Sequence, residues 1–180
     1  MSPKINIYGV SNKKNWGGGN QFLKALKNQF IMDNCYEEQV KNANIVLFNS
    51  HHNIKRLLLD KYINQDKIFV HRIDGPMSYR GESGKKLDKK IFELNFILAD
   101  GTIFQSDWSY KENLKNGIKK KEFESVIHNA PDPKIFFDYK LEKPQSHKIK
   151  LIATSWSQNI NKGFDIYHFL DKRLDFNKFE

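Results

Sequence analysis

Three stretches of this chain carry residue types that could do chemistry. The first is "NWGGGN", Asn15 to Asn20, where Gly17, Gly18 and Gly19 strip one bend of every Cβ. A ligand can then approach backbone N–H groups closely. The second is "NSHHN", which sets His51 beside His52. The third is "HRIDGPMSYRGESG", which gathers His71, Arg72, Asp74, Tyr79 and Arg80 among three glycines and is too rich in donors and charges for a plain connection.

The glycine bend follows the apolar "INIYG" and precedes Phe22, Leu23, Leu26 and Phe30 at helical spacing. Its N–H groups therefore open a helix, where the backbone dipole favours anions. A dinucleotide fingerprint fails, because counting from Gly17 puts Phe22 where the third glycine belongs. A Walker loop fails too, for no Gly-Lys-Ser/Thr follows. The competing reading is a surface turn that binds nothing. His51 and His52 point to opposite sides of an extended segment and do not converge on one metal ion; no Asp-x-Asp occurs either. His128 and His168 fall inside predicted elements and read as packing residues.

The elements that must position these groups are legible in outline. Short apolar runs, "INIY", "NIVLFNS", "KIFVHRI", "GTIFQS", "ESVIH" and "KIKLIATS", read as buried parallel strands. Between them lie helical patterns: Ile54, Leu58 and Tyr62; Leu87, Ile91, Leu94 and Leu98; and Trp108 to Leu114 with Ser106 or Asp107 as N-cap. Strand alternating with helix means an α/β layered sheet of parallel strands with right-handed crossovers. In such sheets ligands bind beyond the carboxyl ends of the strands, so the loops at Gly17, His51 and His71 are expected on one edge.

Length and composition bound the rest. At 180 residues and 39% hydrophobic the chain can bury a core. It has no apolar run of membrane-span length and no signal-peptide layout. One cysteine, Cys35, excludes an internal disulfide and reads as an inert buried thiol in a cytoplasmic protein. Thirty Lys and Arg against 21 Asp and Glu give a formal +9, which draws a protein toward nucleic acid, anionic membrane or phosphorylated small molecules. The basic residues are scattered, so nucleic acid rests on net charge alone and is not the expected partner. Residues 1–135 form the first domain, the proline-marked 136–147 a linker, and 148–180 the start of a second α/β domain, whose single strand and helix cannot bury a core.

The ordered set "NWGGGN", "HRIDG", "IFQSDWSYKENL", "VIHNAPDPKIF" and "IATSWSQNINKGFDIYHFLD" resembles the family 4 retaining nucleotide-sugar glycosyltransferases of GT-B fold, over nearly the whole chain. The resemblance implies an N-terminal Rossmann-like domain for the acceptor and a C-terminal one for the nucleotide-diphosphate sugar. Under it, Gly17, Gly18, Gly19 and Asn20 face donor phosphates and acceptor, and Lys162 grips the donor diphosphate. His71 or Asp74 lies beside the transferred sugar, with Arg72 next to them. Ser155-Trp156-Ser157 stands where the family has an arginine, which leaves Ser155 and Ser157 in the phosphate region. The family's spaced pair of glutamates is absent, so the chain is expected to be a truncated fragment, inactive alone. The expected reaction transfers sugar to a glycan or lipid-linked acceptor, without metal or other cofactor, in the cytoplasm or at an anionic membrane surface. The alternative is a non-catalytic α/β domain that binds a phosphorylated ligand or nucleic acid.

Overall fold

The computed structural model describes residues 2–10, 18–51, 53–133, 147–155 and 162–180. It divides into two compact units, Met1–Phe136 and Phe137–Glu180.

The first unit alternates strand and helix as the apolar pattern demands: β1 (Ile5–Ile7), α1 (Gly18–Met32), β2 (Ile45–Asn49), α2 (Ile54–Ile63), β3 (Ile68–Ile73), α3 (Glu82–Leu98), β4 (Gly101–Phe104), α4 (Asp107–Lys115) and β5 (Phe123–Val126). All five strands are parallel, in the order β1-β2-β3-β4-β5. The α/β class read from the sequence is therefore present, with a Rossmann-like parallel sheet.

The sequential order hides a reversal. After α1 the chain pairs Tyr36 with the outer side of β1, opposite β2, before turning back through a 3-10 turn (Val40–Asn42) into β2. Right-handed crossovers that run first one way and then the other put helices on both faces. The packing agrees. Phe22, Leu23, Leu26 and Phe30 of α1 pack on Ile7, Leu47, Val70 and Ile103, whereas α2, α3 and α4 cover Val46, Phe48, Phe69, Ile73 and Phe104 on the other face. The switch point lies between β1 and β2, where doubly wound sheets open a crevice.

Helix faces follow the predicted spacing in α3, whose Ile91, Leu94 and Leu98 are buried and whose Leu87 packs beside them. In α4, Ser106 caps the helix by accepting a bond from the Ser109 amide at 3.1 Å. Helix α2 differs. Leu57 and Asp60 are its buried residues, while Leu58 faces out and Tyr62 is 74% exposed. The phase is set by Asp60, whose carboxylate receives the Tyr8 hydroxyl at 2.9 Å and so turns the helix one residue from the apolar expectation.

In the second unit, Ile149 pairs in parallel with Phe179, and α5 (Phe164–Arg173) lies between them in sequence with none of its residues buried.

Candidate functional site

At the switch point a cleft of about 430 Å³ is walled by the end of β1 (Tyr8, Gly9), the start of α1 (Gly18, Gly19, Asn20, Leu23), the end of β2 (Phe48, Asn49, Ser50, His51) and the chain after β3 (Asp74, Met77, Arg80). Gly18 and Gly19 are the first residues of α1, so amides that no earlier turn can accept lie at the cleft. A Cβ built on either glycine meets nothing within 4 Å.

Beneath this wall sits Arg72, a guanidinium only 2% exposed in the last turns of β3. Its Nη1 donates to Asn49 Oδ1 (2.6 Å) and Asp74 Oδ1 (2.7 Å). Its Nη2 donates to Gln105 Oε1 (3.1 Å) and Asn129 Oδ1 (2.8 Å). The group stacks 4.6 Å from the Phe22 ring centroid of α1. One cation thereby ties the carboxyl ends of β2, β3 and β4 and the exit from β5. Burying a charge is costly unless it is paired and hydrogen-bonded, and four acceptors, one of them the Asp74 carboxylate, meet that condition. Nε has no partner among the described residues.

Asp74 is the ionic end of this network. Its side chain is 29% exposed and lines the cleft. Oδ1 is held by Arg72, and among the described residues Oδ2 has no hydrogen-bond partner. Its main-chain carbonyl accepts from Ser109 Oγ and Asn113 Nδ2, each at 3.0 Å, which anchors the residue on α4. The following turn is clamped by Asp88 of α3, whose two carboxylate oxygens accept the Met77 and Ser78 amides at 2.8 Å. Carboxylate, helix amides and Arg80 together offer an acceptor for a hydroxyl and donors for an anion.

His71 occupies a different place. It is fully buried in β3 and stacked on Phe48 at 4.3 Å between ring centroids. Nε2 donates to the Ser50 carbonyl at 2.9 Å, and Nδ1 accepts from Asn95 Nδ2 at 3.3 Å. Burial pushes the imidazole down to about 3, so the ring is neutral. It supports Ser50, whose backbone is held at a left-handed φ of 55° at the cleft rim. Of the two candidates for the place beside a sugar, Asp74 lines the cleft and His71 does not.

His51 lines the cleft and exchanges a hydrogen bond with Ser50 Oγ at 2.8 Å. Gly17, His52 and Ser157 lie outside the described residues. Lys162 and Ser155 are exposed residues of the second unit, Lys162 two positions before α5. The packing reading of His128 and His168 is corrected: both are exposed, with His128 Nε2 3.6 Å from Asp107. Cys35 is half-buried.

The residues that sequence reasoning passed over are Asn49, Gln105 and Asn129. Each ends or follows a predicted strand, and a polar residue recurring at that position in three strands is the signal that could have found them. Among the described residues no group of His, Cys, Asp and Glu is arranged to hold a metal ion, and no helix is long and apolar enough to cross a membrane. Compared with protein-family models, with curated proteins and with solved structures, the chain finds no match in any of the three.

Proposed function

We propose that the first unit is the acceptor-side domain of a retaining glycosyltransferase that moves a sugar from a nucleotide-diphosphate donor to a glycan or lipid-linked acceptor. The observation that carries this reading is the cleft at the β1/β2 switch point, lined both by Asp74, locked by Arg72, and by the glycines that open α1. Departure of a nucleoside diphosphate builds negative charge. The α1 amides and Arg80 are groups that stabilise charge as it develops, and Asp74 Oδ2 is a hydrogen-bond acceptor for a sugar or acceptor hydroxyl. In this reading Lys162, exposed in the second unit, grips the diphosphate.

The test is release of nucleoside diphosphate from a panel of nucleotide sugars by the chain joined to a complete nucleotide-sugar domain. The Cβ that Gly18→Val adds meets nothing within 4 Å, so the variant should leave the thermal midpoint unchanged while cutting transfer at least about tenfold, equivalent to ~1.4 kcal/mol in the barrier. Lys162→Ala should lower use of the donor by a larger factor, since a charge-assisted bond contributes ~1.5 to 3 kcal/mol. Parent-like transfer by both variants, or no donor turnover by the parent, overturns the reading.

A further inference from the structure

On the outer side of β1 a second groove, of about 640 Å³, runs between the α1 and α2 sides of the sheet. It arises because the outermost pairing of the sheet stops after one rung. Ile5 donates its N–H to Cys35 O (2.7 Å) and accepts from the Glu37 amide (2.9 Å). In a parallel ladder residues two apart point the same way, so Ile7 turns its N–H and C=O to this same outer side, and Glu37 O would be the next acceptor.

Asn6 intervenes. Its Nδ2 donates to Glu37 O (3.0 Å) and Glu38 O (2.9 Å), taking the carbonyl that the Ile7 amide would have used and turning the chain away from the edge. Among the described residues the outward N–H and C=O of Ile7 have no partner. Asn6 Oδ1 is likewise buried and unpaired. Nearly all polar groups of buried residues are paired in folded proteins, so the N–H and C=O of the buried Ile7, turned to the groove without a partner, mark a place for a ligand.

The orphans define its chemistry. One donor beside one acceptor on a single residue matches one amide-like edge, and a single open rung is too short to hold an added strand. A volume of this size suits a small molecule. The rim carries Lys41, exposed and without an acidic partner among the described residues, and Arg56, whose side chain is 74% exposed and whose Nε holds the Asp60 carboxylate at 3.2 Å, while Glu38 and Asp60 are the carboxylates of the lining. We propose that this groove binds a nucleotide, its base read by the N–H and C=O of Ile7, and its phosphate held by Lys41 and Arg56. This site shares Tyr8 and Gly9 with the cleft wall but uses neither in these contacts, and it does not depend on the transfer reading.

The test is a titration of the 180-residue chain with the four common nucleoside 5′-monophosphates, read in amide proton–nitrogen correlation spectra. Ribose 5-phosphate and a blocked neutral tripeptide serve as comparison probes. At least one nucleotide should shift the Ile7 amide saturably, while ribose 5-phosphate should leave that amide in place. Lys41→Ala with Arg56→Ala truncates two exposed side chains, the second an ion-pair partner of Asp60, and should weaken binding at least about tenfold, with Lys41→Ala alone giving part of that loss. Lys120→Ala, which removes one charge near the opposite edge of the sheet, should not. No shift at Ile7 with any nucleotide overturns the proposal. So does an equal shift with ribose 5-phosphate, which marks a phosphate site alone, or with the tripeptide, which marks an edge for peptide.

Discussion

Arg72 shows how one side chain can organise a sheet edge. Removing a member of a buried pair leaves the other charge without compensation, which costs ~3 to 5 kcal/mol. Arg72→Met is therefore expected to lower stability by that order in urea denaturation, because Asp74 loses its counter-charge and Asn49, Gln105 and Asn129 lose a donor. Arg72→Lys should recover only part of the loss, since an ammonium cannot reproduce four bonds in the guanidinium plane. His71 makes a pH-dependent counterpart. Its ring accepts a proton near 6.5 in the unfolded chain and at about 3 in the folded one. The unfolded state thus binds more protons between those values. The contribution is complete above 6.5 and falls as the pH drops through the window, by up to about 1.4 kcal/mol per pH unit. Urea midpoints from about pH 7 down to about pH 4 should show this slope, and His71→Phe should flatten it. The sequence drew attention to His71, Arg72 and Asp74 by composition. It could not separate their roles, because strand parity decides which side chain enters the core, which lies under α1 and which reaches the cleft, and the strand end had to be known to within one residue.

At the scale of elements, apolar periodicity was enough for α3 and for the strands, where burial of Val46, Leu47 and Phe48 is the dominant driving force. It misled in α2, where a buried carboxylate bonded to Tyr8 overrode the Leu58 and Tyr62 stripe. Two local devices fix the turn after Asp74. A Cβ on Gly75 would run into the Trp108 ring, and one on Gly84 would run into the Met77 carbonyl of the same clamped turn. Gly84→Ala is expected to destabilise the first unit by ~1 to 3 kcal/mol, the range for overpacking a tight contact, whereas Ser106→Ala, which deletes the α4 cap, should cost ~0.5 to 2 kcal/mol. Thermal and urea denaturation of the two variants checks both figures. Gly84 was visible in the sequence only as one glycine of a loop, since the requirement comes from a carbonyl seven positions earlier.

At the scale of the molecule, the two units differ in how much apolar surface they bury. The first has three buried clusters. The second leaves Leu151, Ile152, Ile166 and Phe169 exposed. Local stability follows burial, so hydrogen exchange in α5 should be far faster than in β2 and β3; equal protection in a monomer would contradict this. The reversal at β1 was beyond the reach of pattern reading, because it rests on a single bridge at Tyr36 with no strand-like run around it. The strand order itself bears on how the protein acquires its shape. Each strand of the sheet is hydrogen-bonded to its immediate predecessor in the chain, so no pairing waits for a segment made much later. Each parallel pairing still spans a crossover, with partners such as Ile5 and Ile45 or Gly101 and Phe123 far apart in the chain, which slows folding, but during synthesis the sheet can grow one strand at a time from β1 outward. Asn129, the last of the four Arg72 acceptors to leave the ribosome, then closes a charge network whose other partners are already waiting.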